Sequence, residues 1–533
     1  MKKTWFIIII TVICLAGFND IEAQKEANIW YFGNNAGLDF SGEYPVPIVG
    51  SKMEAREGVA CISDSLGNLL FYTNGITVWN ANHEVIATNL AGHKSSTMAA
   101  SIVPNPVNDR QYYLFTTRIT DNAPGANNSG GHPYIFDFSP SNPSGALIQD
   151  YSSNPLQPNS TEKFLSIPFG PNLVEETGIP GYWLLTHLFD SDIFNQFRLT
   201  DAIYPHATIQ VGAKHDNRTD DNGANHGAIG YIKVSNQGDR IAVAVEGHKS
   251  FHLLRFNREN GQISRYMSEA MLPAGDPNNK REAIYDAYGV EFSPTGRFLY
   301  GSSKEGGTIY QWDLTNPNIT ETVNILRHNP EIPCGALQLA PNGKIYCAFQ
   351  DQDYLGVINR PDGMGRQLSD YQEYGVRLLD NETGEGGTSS LGLPQFDMSN
   401  YVREHLGVSN NCFGDTTLLF LIADFGYSRN STFTIIDPES GGTYAIFYTD
   451  IDHMVNWVAP APGEYDVRVE TRYKGVNLDF VERITIYNSL NVQLAENDYT
   501  RLHCGDTIKL DAGLGAFYTW NVPSIQGRRY YVT

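Results

Sequence analysis

Three glycine-centred turns recur along the middle of the chain, and each turn joins one apolar segment to another. The turn glycines Gly238, Gly296 and Gly343 lie 58 and 47 residues apart. A further strand-like segment follows each pair, at residues 251–256, 308–313 and 354–359. Four short strands in every 40–50 residues or so are the period of a β-propeller blade. The repeat therefore predicts an all-β fold built from successive blades.

Divergent copies of the same pattern bring the predicted number of blades to six, between about residues 58 and 360. These copies lie around Gly67 and at residues 112–116 and 182–188. One strand-like segment remains at each end, at residues 28–33 and 391–396. Pairing these two segments completes a seventh blade and closes the ring, so that no sheet edge is left open. The sequence therefore predicts a seven-bladed β-propeller over residues 24–402.

The composition limits what such a protein can bind. The net charge is −22, which argues against a nucleic-acid partner because basic patches are needed to neutralise phosphates. The same charge argues against docking on anionic lipid. Aromatic residues make up 12% of the chain, and this content excludes an intrinsically disordered protein.

The N-terminus has the features of an export signal. Lys2 and Lys3 precede an almost unbroken apolar run at residues 5–18, and Ala23 offers a small residue before a cleavage point at Gln24. The run is shorter than the roughly 20 residues that span a bilayer. We therefore expect a signal peptide over residues 1–23, no membrane insertion, and a mature protein that is secreted or displayed on the outer cell surface.

Cysteine usage gives no disulfide framework. An odd number of cysteines remains after cleavage, so at least one thiol stays unpaired: Cys61, Cys334, Cys347, Cys412 and Cys504. Counting outward from the turn at Gly343 places Cys347 opposite Leu337 and not opposite Cys334. A bridge between these two cysteines would need a shifted register, and the sequence leaves open whether any disulfide forms.

Several strings within residues 28–400 resemble, in the same order, a family of large exported proteins from Bacteroidetes. The strings are Trp30 to Phe40, Ile76 to Asn80, Gly92 to Thr97, Ile102 to Pro104, Gly289 to Pro294 and Gly392 to Pro394. The resemblance implies a YVTN-type β-propeller followed by PKD or immunoglobulin-like modules. It also implies export through a C-terminal domain, either a type IX secretion sorting domain or a gliding-motility-associated domain. No such domain follows here, so we expect this chain to be a fragment or a truncated gene product.

The chain changes character after about residue 402. A new module opens at residues 412–417, and residues 462–469 resemble the late-strand motif of a PKD domain. The Trp-Asp-Phe-Gly-Asp string usual in PKD domains is missing, which makes β-sandwich the safer prediction. Cys504 to Thr507 repeats the opening of the module, but the chain stops at Thr533. We therefore predict a PKD/immunoglobulin-like β-sandwich at residues 409–488 and the start of a second sandwich, an incomplete module, at residues 489–533.

The common catalytic signatures are missing from the sequence. It has no P-loop, no His-Glu-x-x-His helix and no Gly-x-Ser-x-Gly elbow. The turn Ser63 to Gly67 has the wrong offset between acid and glycine for a sialidase repeat. These observations predict that the chain is not an enzyme and uses no cofactor.

One loop carries enough oxygen ligands for a structural Ca²⁺ site. Residues 215–226 include the candidate metal ligands Asp216, Asp220 and Asp221. The spacing does not fit an EF-hand, because Arg218 stands five residues before the glycine of the loop. The alternative is a solvated loop that joins two blades.

Other candidate site residues lie at strand ends and turns. His187, Glu246 and His248 end apolar strands and are candidate ligand-binding residues, with satisfied strand-end side chains as the alternative. Ser65, Thr416 and Thr507 each follow an aspartate. These strings resemble the Asp-Ser/Thr-apolar sites at which Bacteroidetes O-glycosylate exported proteins, so the three residues are candidate modification sites. Turn and strand-start chemistry is the alternative for these three.

These observations predict an exported binding or adhesion protein whose propeller presents loops to an extracellular glycan or protein. Long polar loops at residues 121–132 and 214–226 supply the surface for recognition. One alternative is an extracellular glycan hydrolase or lyase on the propeller face. Another is a structural stalk component of a gliding or adhesion apparatus.

Overall fold

The computed structural model describes most of residues 25–396 and shorter stretches after them. The described ranges are 25–42, 44–119, 129–216, 227–266, 271–272, 286–380, 383–396, 405–409, 413–414, 416–422, 427–449, 454–473, 476–486, 491–493, 499–501, 508–511 and 529–532. The predicted signal peptide lies outside these residues. Among the residues described, no helix is long and apolar enough to cross a membrane.

Within the described part of the chain, seven antiparallel sheets follow one another between residues 29 and 377. The first sheet contains β1 (Ile29–Phe32), β2 (Ala36–Asp39) and β3 (Val46–Pro47). The second contains β4 (Ala60–Ser63), β5 (Leu69–Thr73), β6 (Val78–Asn80) and β7 (Val85–Ala87). The third contains β8 (Ala100–Pro104), β9 (Gln111–Thr117), β10 (Ser129–Asp137), β11 (Ala146–Asp150) and β12 (Gln157–Pro158).

The later sheets repeat the same up-and-down order. The fourth contains β13 (Ser160–Pro168), β14 (Tyr182–Leu188), β15 (Ile193–Leu199) and β16 (Ile203–Gln210). The fifth contains β17 (Ile232–Val234), β18 (Arg240–Val245), β19 (Ser250–Asn257), β20 (Gln262–Arg265) and β21 (Met271–Leu272). The sixth contains β22 (Ala287–Phe292), β23 (Phe298–Ser303), β24 (Thr308–Asp313) and β25 (Asn324–His328). The seventh contains β26 (Cys334–Leu339), β27 (Ile345–Phe349), β28 (Tyr354–Ile358) and β29 (Tyr371–Arg377).

The glycine turns of the repeat join the first two strands of sheets 5, 6 and 7. Gly238, Gly296 and Gly343 have φ angles of +72°, +69° and +75°, a left-handed conformation that glycine adopts without steric cost. The flanking residues pair across each turn, as in Phe292 opposite Leu299. Short helices lie between strands, at α1 (Pro171–Thr177) and α2 (Gly365–Leu368). This arrangement confirms the predicted all-β class and fits a β-propeller.

The first strand of each sheet contacts the first strand of the next, so these strands surround a common axis. The residues of these strands are mostly buried. Among the described residues, the three largest fully buried side chains are Trp30 in β1, Trp183 in β14 and Trp312 in β24. Because every sheet is an antiparallel meander, the loop that enters its first strand lies at the same end as the loop between its second and third strands. That end of the axis therefore collects loops from successive sheets.

The segment at residues 386–396 joins the two ends of this series. Asn34 and Thr388 exchange backbone hydrogen bonds of 2.9 and 3.0 Å, and Gln395 donates to Val59 at 3.2 Å. On its other side, Leu391 accepts a hydrogen bond of 2.8 Å from the N–H of Ala336 in β26. The expected contact between the chain ends is present. We name residues 386–396 the closing segment. The prediction placed its pairing on Ile29–Phe32, whereas the hydrogen bonds form at Asn34, just after that strand. The reason is that the chain turns at Gly33 before it meets the closing segment.

Cys334 and Cys347 follow the register expected from the turn at Gly343. Cys347 pairs with Leu337, and Cys334 pairs with Phe349. Both thiols are buried and free, as is Cys61. Cys412 and Cys504 lie outside the described residues.

Two further sheets after residue 404 share a separate apolar core. One sheet contains β30 (His405–Ser409), β31 (Thr417–Ile422) and β34 (Met454–Trp457). The other contains β32 (Tyr427–Ile436), β33 (Thr443–Thr449), β35 (Gly463–Tyr473) and β36 (Val476–Ile486). Leu419, Phe433, Trp457 and Val467 pack in the core between them. Two hairpins follow, β37 (Asn491–Gln493) with β38 (Tyr499–Arg501) and β39 (Ile508–Asp511) with β40 (Arg529–Val532).

Candidate functional site

Five polar side chains meet at the loop-collecting end of the axis, and we name them the axial cluster. They are Glu57, Glu162, Glu246, Tyr288 and Lys304. Glu57 precedes β4, Glu162 lies in β13, Tyr288 lies in β22, and Glu246 and Lys304 follow the second strands of sheets 5 and 6. Glu162, Glu246 and Tyr288 are buried, whereas Glu57 and Lys304 are partly exposed. Solvent therefore reaches the cluster through these last two side chains.

Glu57 holds its proton more tightly than an ordinary carboxyl group. The hydroxyl of Tyr288 donates a hydrogen bond of 3.1 Å to Glu57 Oε2. Burial raises the pKa of Glu57 to about 8, and the negative charge of Glu162 adds to this effect, while Lys304 opposes it. At neutral pH the Glu57 carboxyl group is therefore protonated.

Lys304 bridges the acidic groups of the cluster. Its Nζ lies 3.0 Å from Glu246 Oε1 and 5.5 Å from the centre of the Tyr288 ring. Burial lowers the pKa of Lys304, but the negative charges of Glu246, Glu57 and Asp286 raise it by more. The net effect is a raised pKa. Asp286 lies beside the cluster, and burial raises its pKa to about 6. Lys304 thus stays charged and remains available as a hydrogen-bond donor.

Glu162 and Lys163 are held by hydrogen bonds to neighbouring sheets. Glu162 Oε2 accepts two hydrogen bonds of 2.7 Å, from the N–H and the hydroxyl of Thr97. Lys163 Nζ donates to the carbonyl oxygens of Ala228 and Ile229 at 2.9 and 3.0 Å. Burial lowers the pKa of Lys163 to about 7. These bonds connect the starts of sheets 3, 4 and 5 and hold the cluster rigid.

Further along the axis, polar side chains fill most of the space. A cavity of about 30 Å³ remains, which is room for one or two water molecules. Lys233 Nζ lies 3.3 Å from Glu291 Oε2 within it, and Glu291 also accepts the N–H of Leu339 at 3.1 Å. Little room therefore remains at this level of the axis.

The sequence candidates for ligand binding separate into two groups. Glu246 belongs to the axial cluster. His187 is buried and stacks on His215 with a centroid distance of 3.7 Å and an interplanar angle of 18°. Burial lowers the pKa of His187 to about 3, and neither of its ring nitrogens has a hydrogen-bond partner among the described residues. His248 instead contacts Asp216, with 2.8 Å between Nε2 and Oδ1.

The calcium prediction remains untested. Asp216 is bound to His248, and its Oδ2 lies 3.6 Å from Lys214 Nζ. Asp220 and Asp221 lie outside the described residues. In the part of the chain that is described, no three His, Cys, Asp or Glu side chains are placed to hold a metal ion.

The candidate modification sites also stay predictions. Ser65 is exposed in the turn between β4 and β5, where Asp64 accepts the N–H of Leu66 at 2.9 Å. Thr416 is exposed just before β31. Thr507 lies outside the described residues.

Most of the axial cluster was missed by sequence reasoning. Glu162 and Lys163 sit at the start of an apolar strand, and Glu57 stands just before another. Charged residues entering a buried strand are the signal that was available, since such groups are rarely buried without partners. Their convergence depends on the order of sheets around the axis, which local patterns do not reveal.

Comparisons with known proteins gave structural likenesses alone. No protein-family model matches the chain, and no curated protein matches it. Among similar solved structures is a periplasmic gluconolactonase from Pseudomonas aeruginosa, 12% identical, covering 72% of this chain and 94% of that chain, with a TM-score of 0.33. A candidate 6-phosphogluconolactonase from Bacteroides uniformis is also 12% identical, covering 71% and 97%, with a TM-score of 0.30.

A third similar structure is an extracellular domain. It belongs to a candidate one-component system from B. thetaiotaomicron, is 11% identical and covers 86% of this chain and 56% of that chain, with a TM-score of 0.33. These proteins include periplasmic and extracellular ones, and two of the three come from Bacteroides species. Likenesses at this level assign no function to the present chain.

The comparisons do correct one prediction. The sequence prediction that the chain is not an enzyme is contradicted, because two of these similar structures carry lactonase names. The physical reason for the error is that sequence signatures detect nucleophiles and metal sites built from one segment. Groups brought together from separate sheets leave no such signature, so its absence does not exclude an activity.

Proposed function

We propose that this chain is an exported β-propeller protein that binds an extracellular saccharide at the axial cluster. In this proposal the seven sheets are the blades of a closed ring over residues 24–402. A PKD/immunoglobulin-like sandwich at residues 409–488 and a partial second module at 489–533 act as spacers. The resemblance to exported Bacteroidetes proteins and the signal-like residues 1–23 support the extracellular location.

One observation carries the proposal: the partly exposed Glu57 and Lys304 are held in fixed positions by buried partners. A protonated Glu57 carboxyl both donates and accepts hydrogen bonds, and Lys304 donates. Sugar hydroxyls need donors and acceptors close together in a rigid site. The hydrogen bond that Tyr288 donates to Glu57 and the one that Glu246 accepts from Lys304 hold both side chains in place before a ligand arrives. This lowers the entropy cost of binding.

The test is a saccharide array followed by calorimetry with the mature chain. Glu57→Gln and Lys304→Met should each weaken saccharide binding about tenfold or more, because each removes a buried or charge-assisted hydrogen bond. Glu373→Gln is the matched control, since Glu373 pairs with buried Arg327 at 2.9 Å far out in sheet 7. Binding that survives both cluster variants would refute the proposed site.

A second candidate function is acid–base hydrolysis at the same cluster. The specific observation is that Glu57, with a pKa of about 8, lies within electrostatic reach of the Glu162 and Glu246 carboxylates. A carboxyl group that keeps its proton beside an ionised one can act as general acid while its neighbour acts as base. The mature chain should be assayed on polysaccharides and on sugar lactones, and Glu57→Gln should abolish any turnover that is found.

A further inference from the structure

Four basic residues lie on the loops next to Glu57 of the axial cluster, and we name them the basic rim: Arg56, His93, Lys94 and Arg118. Arg56 is the neighbour of Glu57, whose N–H donates to the Lys94 carbonyl at 3.2 Å. Lys94 and Arg118 both act electrostatically on His93. Arg118 directly follows Thr117, whose hydroxyl contacts Ser96 at 2.8 Å. The rim therefore lies on the loops that enter sheets 2 and 3 and on the loop that follows β9.

The charges of the rim are not neutralised within the described residues. Arg56, Lys94 and Arg118 form no ion pair there, and Arg56 and Arg118 are exposed. By contrast, Lys214 at the same end of the axis lies 2.7 Å from Asp190 and 3.6 Å from Asp216. A chain with a net charge of −22 repels anions in general, so a local group of unpaired basic side chains marks where an anion can approach.

His93 adds a directed donor to the rim. Its Nδ1 accepts the N–H of Ser95 at 3.1 Å, so the neutral ring carries its proton on Nε2. The ring is half-buried, and the charge of the exposed Arg118 acts on it. The Nε2–H of His93 can therefore donate a hydrogen bond to a bound anion, whether the imidazole is neutral or charged. This donor adds to the charges of the rim.

We propose that the ligand of the axial cluster is an anionic saccharide, whose carboxylate or sulfate groups bind the basic rim while its hydroxyls reach Glu57 and Lys304. This inference rests on the proposed saccharide-binding function and specifies its ligand class. Exposed charge pairs contribute modestly and are screened by salt, so the rim selects the ligand and the cluster holds it.

The test compares matched polymers with the mature chain. Polygalacturonate is set against its carboxyl-reduced form, and dextran sulfate against dextran, which separates carboxylate from sulfate recognition. We expect at least about tenfold tighter binding of one charged polymer than of its neutral match, weakening as NaCl rises. The double variant Arg56→Gln/Lys94→Gln should remove most of that preference.

The control double variant is Arg110→Gln/Arg265→Gln, which removes two exposed charges that do not belong to the basic rim. Equal losses in the two double variants, or equal binding of charged and neutral polymers, would overturn the inference. If Glu57→Gln abolishes binding while the rim variant leaves it intact, the proposed function stands and the anionic ligand does not. If no saccharide binds at all, both fail.

His93 gives a readout that does not depend on affinity. Burial lowers its pKa, and Lys94 and Arg118 lower it further. An anion bound at the rim stabilises the imidazolium, so the pKa of His93 should rise when a galacturonate oligomer is added. An NMR titration of the histidine ring protons measures this, and an unchanged His93 pKa under saturating ligand would contradict contact with the rim.

Discussion

The raised pKa of the partly exposed Glu57 carboxyl makes the axial cluster sensitive to pH. Its pKa is raised from 4.5 to about 8, so between these pH values the folded chain keeps a proton that the unfolded chain releases. Folded-state stability therefore falls as pH rises through this window. Glu57→Gln keeps an uncharged acceptor for the Tyr288 hydroxyl and removes the titration. We predict that this variant gains roughly 1–2 kcal/mol over the wild type between pH 5 and pH 9, discounted for partial exposure.

Urea unfolding of the wild type and Glu57→Gln at pH 5, 7 and 9 measures this difference. The gain should appear between pH 5 and pH 8 and stay constant above it. A stability difference that is the same at every pH would show that Glu57 is ionised in the folded chain.

The stacked histidines give the opposite dependence. Burial lowers the pKa of His187 to about 3 and that of His215 well below 6.5, with Lys163 and His252 also acting on both rings. His248 acts on His215 as well, and it is itself bound to Asp216. Both rings are neutral in the folded chain, so stability is lost as pH falls below 6.5, where the unfolded histidines take up protons.

The free energy of unfolding of His187→Phe should therefore fall less steeply with acid than that of the wild type. The difference should be up to about 1.4 kcal/mol per pH unit below 6.5. Thermal unfolding between pH 7.5 and pH 4.5 tests this, with the exposed His328→Gln as a control. If the two variants lose stability in parallel with the wild type, His187 does not carry the effect.

At the scale of elements, the closing segment depends on one glycine. Gly33 has φ of +54°, and a Cβ at this position would lie 2.2 Å from the carbonyl oxygen of Thr388. Gly33→Ala should lower the free energy of unfolding by about 2–4 kcal/mol. An alanine disfavours the left-handed backbone, and its Cβ would clash with the Thr388 carbonyl oxygen. Gly343→Ala is the matched control: its φ is +75°, but nothing lies within 4 Å of the added atom.

The control variant should lose only about 1 kcal/mol. Differential scanning calorimetry of the two variants separates the backbone effect from the contact with Thr388. Equal melting temperatures would mean that the closing segment contributes little to stability.

Elements were predicted where a local rule fixed them. Gly238, Gly296 and Gly343 mark tight turns between short apolar segments, so the strands and the register of the hairpin at Gly343 followed from sequence. The pairing of Asn34 with Thr388 was placed a few residues away from where it occurs. Local patterns show that both ends of the series need a partner, but the exact register depends on how β1 turns at Gly33.

At the scale of the whole molecule, the candidate site could not be read from sequence. Glu57 and Tyr288 are 231 positions apart, and Thr97 and Glu162 are 65 apart. Their contacts exist only because successive sheets place their first strands around one axis. Glu246 was predicted from its position at the end of an apolar strand, whereas its ion pair with Lys304 of the next sheet has no signal in the chain.

The separate apolar cores predict that the first 402 residues function alone. The core of sheets 1–7 includes Trp30 and Leu393, whereas that of the later sheets includes Leu419 and Trp457. Every contact described for the axial cluster comes from residues between 57 and 304. A fragment of residues 25–402 should therefore bind the same saccharide within about twofold of the mature chain, since no side chain of the site is removed. Its calorimetric transition should match one transition of the mature chain, which should show a second. Glu57→Gln in the fragment controls for binding elsewhere, and a fragment that folds but loses binding would place part of the site after residue 402.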